Sequence, residues 1–289
     1  MIKKLIFGTA NFVKNYGLVR NKQTNKQIIQ ILKYLKKKKI FSLDTSIEYR
    51  SVDKKIKLSK FRKWKIITKI NLQRFEKYKD EKKIIQELSI LIKKNAKNIG
   101  VKQIHTLLIQ NTNFLLTKNG HRFFFILKKF KKLSLVNRIG YSIYNFNTIK
   151  QLVRNFKPDM IQCPCNIFDN RISKKKISLF IKEKKIEIHA RSIFLKGSLL
   201  LKAKNLPKQI LQWREKYKEF DDWIEKNNHS RLEVCINFVL NNPLVNKVII
   251  GADNLQQLKQ ILNIKKRRKI KIPKKFFLTD ENLLNPSKW

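Results

Sequence analysis

The chain has 289 residues and carries 67 Lys and Arg against 20 Asp and Glu, a formal net charge of +47 at pH 7. Apolar residues make up 42%, enough to bury a sizeable core, so global disorder is excluded. The longest apolar runs, such as Phe123–Leu127, fall far short of the ~20 residues that span a bilayer.

The basic balance is mostly lysine, with 54 Lys against 13 Arg. The Lys runs 36–39 and 174–176 and the mixed Lys-Arg run 265–269 are scattered along the chain. A specific nucleic-acid surface would concentrate Arg and aromatics on one face, so only nonspecific, salt-sensitive association with polyanions is expected. Lys, Ile, Asn and Phe can all be written with A/T-only codons, which accounts for the bias without a polyanion partner. The first eight residues are too short an apolar stretch for a signal peptide. Cys163, Cys165 and Cys235 have no metal-like spacing and no even count, which points to a reducing, cytoplasmic setting.

In chain order, short β-branched runs predict strands at 4–8, 41–44, 65–70, 105–110, 138–142, 160–164, 186–192 and 247–251. Amphipathic stretches lie between most of them. Ile28, Ile31, Leu32 and Leu35 repeat at helical spacing after Thr24, a candidate N-cap. The stretches 82–97, 232–240 and 255–264 read the same way, 53–59 reads as a short helix, and Gly100 and Gly120 are expected to end helices. Residues 205–228, with Trp213, Tyr217 and Trp223, form an extra excursion after the seventh strand, either a cover for the strand ends or a packing appendage. Eight strands alternating with helices predict a (β/α)8 TIM barrel, with residues 1–289 as one domain. An open doubly wound sheet would show a glycine-rich loop after its first strand, and Gly8-Thr9-Ala10-Asn11 is not one.

In a barrel the chemistry sits just after the strand C-termini. There the sequence places Thr9, Asp44 with Tyr49, Lys69, Gln110, Ser142, Gln162, Arg191 with Ser192, and Gly251. A tyrosine, with an ordinary pKa of ~10, acts as a general acid more readily when a neighbouring ammonium stabilises its phenolate. Asp44, Tyr49 and Lys69 supply the acid, the ammonium and a carboxylate to hold it. The four histidines are dispersed and the cysteines lie elsewhere, so no metal site is expected; Cys163 and Cys165 read as packed thiols.

These residues sit within longer blocks: FGTANF at 7–12, YGL at 16–18, LDTSIEY at 43–49, ITKI at 67–70, LLIQN at 107–111, IGYS at 139–142, PDMIQCPCNIFDNR at 158–171, IHARSIFLKGSLL at 188–200 and VIIGADNLQQL at 248–258. In this order they resemble the aldo-keto reductases, and the later blocks resemble a bacterial branch associated with saccharide biosynthesis. The resemblance implies an enzyme: a (β/α)8 oxidoreductase that uses NADP(H) or NAD(H) to reduce the aldehyde or ketone group of a small molecule, with a sugar-derived carbonyl among the candidates. It implies Tyr49 as proton donor, Lys69 and Asp44 as its assistants, and Gln110 where the family carries His. For the cofactor it implies Thr9, Ala10, Asp44, Ser142, Gln162, Arg191, Ser192, Phe194, Gly197, Gly251, Asp253 and Gln257. Arg191 takes the place of a Tyr that stacks on the nicotinamide, and Arg50-Ser51-Val52-Asp53 replaces a Gly-x-Ser-Glu. Gln110 cannot relay a proton, so the alternative reading is a catalytically weakened barrel that binds a nucleotide or sugar. Asp253 and Gln257 offer no cationic clamp for a 2′-phosphate, which predicts weak discrimination between NADPH and NADH.

Overall fold

The structure is a computed structural model that describes residues 1–14, 16, 18, 23–49, 51–265 and 270–289. Its strands are β1 (Leu5–Gly8), β2 (Ser42–Asp44), β3 (Lys65–Ile70), β4 (Ile104–Ile109), β5 (Val136–Ser142), β6 (Met160–Pro164), β7 (Glu187–Arg191) and β8 (Lys247–Ile250). Each pairs in parallel with the next, and β8 pairs back onto β1 through Leu5↔Val248 and Phe7↔Ile250, so the sheet closes. The expected (β/α)8 barrel is therefore present. Closure leaves no exposed edge and directs every strand C-terminus to one mouth.

The helices are α1 (Asn25–Lys37), α2 (Val52–Lys57), α3 (Glu81–Ile99), α4 (His121–Lys132), α5 (Ile149–Asn155), α6 (Lys175–Glu183), α7 (Arg214–Lys226), α8 (Arg231–Leu240), α9 (Leu255–Asn263) and α10 (Glu281–Leu284). In α1, Ile28, Ile31, Leu32 and Leu35 are all buried, and Thr24 and Gln27 form a reciprocal capping box. The α4 helix buries Phe123, Phe124, Ile126, Leu127 and Phe130 and leaves Phe125 exposed, as one apolar stripe dictates. The barrel interior is filled by Ile6, Ile67, Leu108, Met160 and Ile249, a cluster separate from the larger core between strands and helices. It is a packed plug, so the barrel is not a pore and its mouth is floored by these side chains.

Two expectations need correction. Gly100 ends α3 with a left-handed backbone (φ 86°), as expected, but Gly120 stands at the N-cap of α4. A Cβ on Gly120 would lie 1.7 Å from the Phe114 carbonyl oxygen, so close backbone approach selects glycine here, not a helix end. The β5 strand also begins at Val136, two residues before the predicted start, because Val136 pairs in register with Ile104.

The excursion after β7 resolves as a packing unit. Tyr217 and Phe220 of α7 pack with Phe168, Phe276, Leu283 and Leu284, joining the chain's C-terminal segment to the loop after β6. The Tyr217 hydroxyl donates to Ser198 Oγ at 2.7 Å, which ties α7 to the loop after β7. Among the described residues, no helix is long and apolar enough to cross a membrane.

Candidate active site

The mouth encloses a cavity of about 710 Å³, within the size range of small-molecule and cofactor sites. Asp44, Tyr49, Lys69, Gln110, Ser142, Gln162 and Arg191 all line it, as do Ala10, Ser192, Phe194, Gly197, Gly251, Asp253 and Gln257. Thr9 is fully buried beneath this lining, and its hydroxyl donates to the Asp44 carbonyl oxygen at 3.0 Å, joining β1 to β2. Residues more than 200 positions apart are thus brought to one wall by barrel closure.

The centre of the site is one carboxylate with two partners. Asp44 Oδ2 accepts from Lys69 Nζ at 2.7 Å, and Asp44 Oδ1 accepts from Gln162 Nε2 at 2.7 Å. Lys69 Nζ also donates to the Thr45 carbonyl at 2.9 Å. Register explains the arrangement: β2 and β3 align Asp44 with Ile67, two residues before Lys69, so both side chains face inward. Burial lowers the Lys69 pKa from its ordinary value, while Asp44 opposes that shift by holding the charged form.

Tyr49 lines the same cavity, but its ionisation differs from the expected pattern. Burial, then the neighbouring Tyr16, Asp44 and Tyr144, push its pKa upward, and the charge of Arg191 opposes them. Lys69 spends its hydrogen bonds on Asp44 and Thr45, and no hydrogen bond joins it to Tyr49 among the described residues. The expectation that Lys69 lowers the Tyr49 pKa is therefore corrected: burial dominates, and the phenol is held protonated.

Gln110 lines the cavity just beyond β4, where its backbone N–H donates to Ile70 O at 2.9 Å. Arg191 extends across the mouth. Its Nη2 donates to the Ile143 carbonyl at 2.9 Å, Nη1 to Ser192 Oγ at 3.2 Å, and its guanidinium lies 3.7 Å from the centroid of the Tyr144 ring. The loop beyond it turns through left-handed backbone at Ser192, Leu195, Lys196 and Gly197. Lys196 donates to Pro286 O at 2.6 Å, so the C-terminal segment clasps this loop. At the opposite rim, Asn11 Nδ2 donates to Asp253 Oδ1 at 2.6 Å, and Asn254 caps α9 by accepting from Gln257 N. A Cβ on Gly251 would meet Asn11 Oδ1 at 2.6 Å, so glycine keeps this rim contact open.

Residue-level reading missed Tyr144 and Asn11 as parts of the mouth, and Tyr16 entered only within a matching block. Tyr144 lies beyond a strand end, a position that could have drawn attention to it. Conversely, Asp53 faces away from the mouth. It is buried between α2 and α3, where Asn95 Nδ2 donates to it at 2.6 Å and burial pushes its carboxyl up to about 7. Arg50 and the basic run 266–269 lie outside the described residues. Cys163 and Cys165 are buried, and burial pushes the Cys163 thiol up to about 12, as packed thiols require.

The site fits a nicotinamide cofactor on one specific ground. Gln162 is fully buried and its Oε1 has no hydrogen-bond partner among the described residues, although its amide nitrogen is fixed on Asp44. Such an acceptor is costly unless a ligand donor meets it, and a carboxamide N–H is a donor of the required kind. Ser142, paired in register with Gln162, stands beside it.

The Aldo/keto reductase family model matches residues 4–275. The chain therefore belongs to the aldo-keto reductase family and is an NAD(P)-dependent oxidoreductase. Its fold is similar to that of the aldo-keto reductase AKR11C1 from Bacillus halodurans in its holo form, at 15% identity and a TM-score of 0.72, covering 93% of this chain and 88% of that one. It is also similar to Gox0644 in its apo form, at 15% identity and a TM-score of 0.60, covering 97% and 86% of the two chains. A search of curated proteins returned no match.

Proposed function

We propose that this chain reduces the carbonyl group of a small aldehyde or ketone with NADPH or NADH, and that residues 1–289 act as one catalytic domain. A sugar-derived carbonyl falls within that substrate class. The observation that carries the reading is the Asp44 carboxylate bridging Lys69 and Gln162 on the wall that also presents Tyr49. It couples a proton-donating side to a carboxamide-holding side through one rigid group.

The cofactor, when bound, supplies the hydride; Ser142 and Gln162 hold its carboxamide, and Ala10, Ser192, Phe194, Gly197, Gly251, Asp253 and Gln257 flank the rest. Thr9 supports that wall from below. Tyr49 Oη donates its proton to the carbonyl oxygen. Its raised pKa keeps it fully protonated before the reaction, the form required of an acid. The phenolate left behind is stabilised by the guanidinium of Arg191, whose charge already opposes the upward shift of Tyr49. Asp44 holds Lys69 and Gln162 in place on that wall. Gln110 donates an amide N–H to the same carbonyl oxygen and leaves Tyr49 as the sole proton source.

Fluorescence titration with NADPH and NADH, followed by turnover on a panel of small aldehydes, tests this reading. Binding of a dinucleotide with aldehyde-dependent oxidation is the expected result. Tight nucleotide binding with no turnover on any aldehyde would favour a binding barrel weakened by Gln110. Failure to bind either nucleotide would refute the proposal.

A further inference from the structure

Among the described residues, four cations line the mouth: Lys69, Arg191, Lys196 and Arg231. Lys69 is paired with Asp44, and Arg231 with Asp221. Lys196 is turned to the C-terminal segment, on Pro286 O and over the Trp289 ring. Arg191 has no carboxylate partner among the described residues. Its groups meet only neutral ones: the Ile143 carbonyl, the Ser192 hydroxyl and the face of Tyr144, while its Nε is buried and unpartnered. The guanidinium is thus oriented on three sides without being neutralised, and it keeps a full positive charge in a partly desolvated wall, where charges act strongly.

Its place in the fold gives that charge a target. Ile143, which accepts from Arg191, directly follows Ser142, and Arg191 pairs in register with Pro164, two residues beyond Gln162. Whatever the Ser142–Gln162 pair holds therefore lies beside the guanidinium. A nicotinamide ring is a cation when oxidised and neutral when reduced, and the rest of the dinucleotide is unchanged. We infer that Arg191 discriminates the oxidation state of the cofactor, holding the reduced dinucleotide more tightly than the oxidised one and hastening release of the oxidised product. A neutral aromatic side chain at this position would not make that distinction by charge. The same charge opposes ring oxidation, and the phenolate forming on Tyr49 offsets it during the chemical step.

This inference rests on the reading of the mouth as a nicotinamide site, and binding measurements separate the two. Dissociation constants for NADPH, NADP⁺, NADH and NAD⁺ are measured by calorimetry on the full chain, on Arg191→Gln and on Arg191→Lys. The parent should bind each reduced form at least ~10-fold more tightly than its oxidised partner, about 1.4 kcal/mol. Arg191→Gln should bring that ratio to within ~3-fold, about 0.7 kcal/mol, and Arg191→Lys should keep most of it. If Arg191→Gln fails to fold, Arg191→Met gives the same comparison. ADP-ribose 2′-phosphate, which lacks the ring, should bind the parent and the neutral variant equally. An equal reduced-to-oxidised ratio in the parent and the neutral variant overturns the inference, as does a Lys variant that behaves like Gln. Loss of ADP-ribose 2′-phosphate binding in the neutral variant also overturns it, because Arg191 would then serve the phosphates. If the parent binds none of the dinucleotides, the cofactor reading itself fails.

Discussion

Asp44→Asn keeps the side-chain volume and removes one charge at the centre of the site. In the parent, Lys69 Nζ and Gln162 Nε2 each donate to Asp44 at 2.7 Å, and the ion-paired side chains of Lys69 and Asp44 are only 8% and 11% exposed. In the variant, the ammonium keeps the Thr45 carbonyl at 2.9 Å, and the new amide cannot accept from Lys69 and Gln162 with both of its ends. Removing one partner of a buried pair costs ~3–5 kcal/mol, a large share of the ~5–15 kcal/mol that holds a typical domain folded. Lys69 can escape by losing its proton. Burial already lowers its pKa, and Asp44 is the first group opposing that shift, so the variant's Lys69 pKa falls further. A lysine whose folded pKa lies below its unfolded value of 10.5 destabilises the fold while charged. Stability then recovers as pH rises from the folded pKa towards the unfolded one. Urea unfolding of both proteins across a pH series should show a deficit of ~3 kcal/mol or more near neutral pH that shrinks as pH rises towards the unfolded lysine value. Adding Lys69→Met should restore most of the stability of Asp44→Asn and none of its turnover. A deficit below ~1 kcal/mol that is flat with pH, or a double variant no more stable than the single one, would refute the reasoning.

Tyr49→Phe should keep cofactor affinity within a few-fold of the parent and lower turnover by at least ~10²-fold; an unchanged rate removes Tyr49 from the mechanism. Gln110→His should retain activity on small aldehydes, because an imidazole can donate the same hydrogen bond, and a large loss in a folded variant would assign Gln110 a substrate contact of its own. NADPH and NADH should differ little in affinity at ~0.15 M salt, since Asp253 is engaged by Asn11 at the rim and Lys259 is turned onto the Tyr34 ring. A preference above ~100-fold, about 2.7 kcal/mol, would require a cationic clamp elsewhere. Asp53 has a folded pKa of about 7 against an ordinary 3.8, so its protonated form favours the fold and its contribution is lost as pH rises from 3.8 to about 7. Asp53→Asn should therefore be more stable than the parent above that window, by ~1–2 kcal/mol once partial solvation is allowed for, and chemical denaturation at the two ends of the window checks the sign.

The strand and helix pattern was legible in the chain because it is local. Runs such as Lys65–Ile70 and Met160–Pro164 carry their two-sided burial in their own composition, and the stripe of Ile28, Ile31, Leu32 and Leu35 carries its helical period. The choice of Asp44, Tyr49 and Lys69 followed from their positions just after strand ends, where a closed barrel puts its chemistry. What escaped depended on contacts between segments far apart in sequence. Gly120 reads as a helix end until the Phe114 carbonyl is seen against it. Residues 205–228 allow a cover or an appendage until Tyr217 and Phe220 are found packed on Phe168 and Phe276.

The electrostatics of the site were the least legible of all. Lys69 beside Tyr49 implies a lowered phenol pKa only if the ammonium is free to face the phenol, and it is turned onto Asp44 and Thr45 instead. Residue types alone determined that an acid, a base and an amide stand at one mouth. Tertiary structure decided how their charges are shared, because hydrogen-bond direction and desolvation are set by every strand that contributes to the wall. Arg191 shows the difference most sharply: one Arg among 67 basic residues in sequence, and in the fold a cation held on neutral groups beside the Ser142–Gln162 pair.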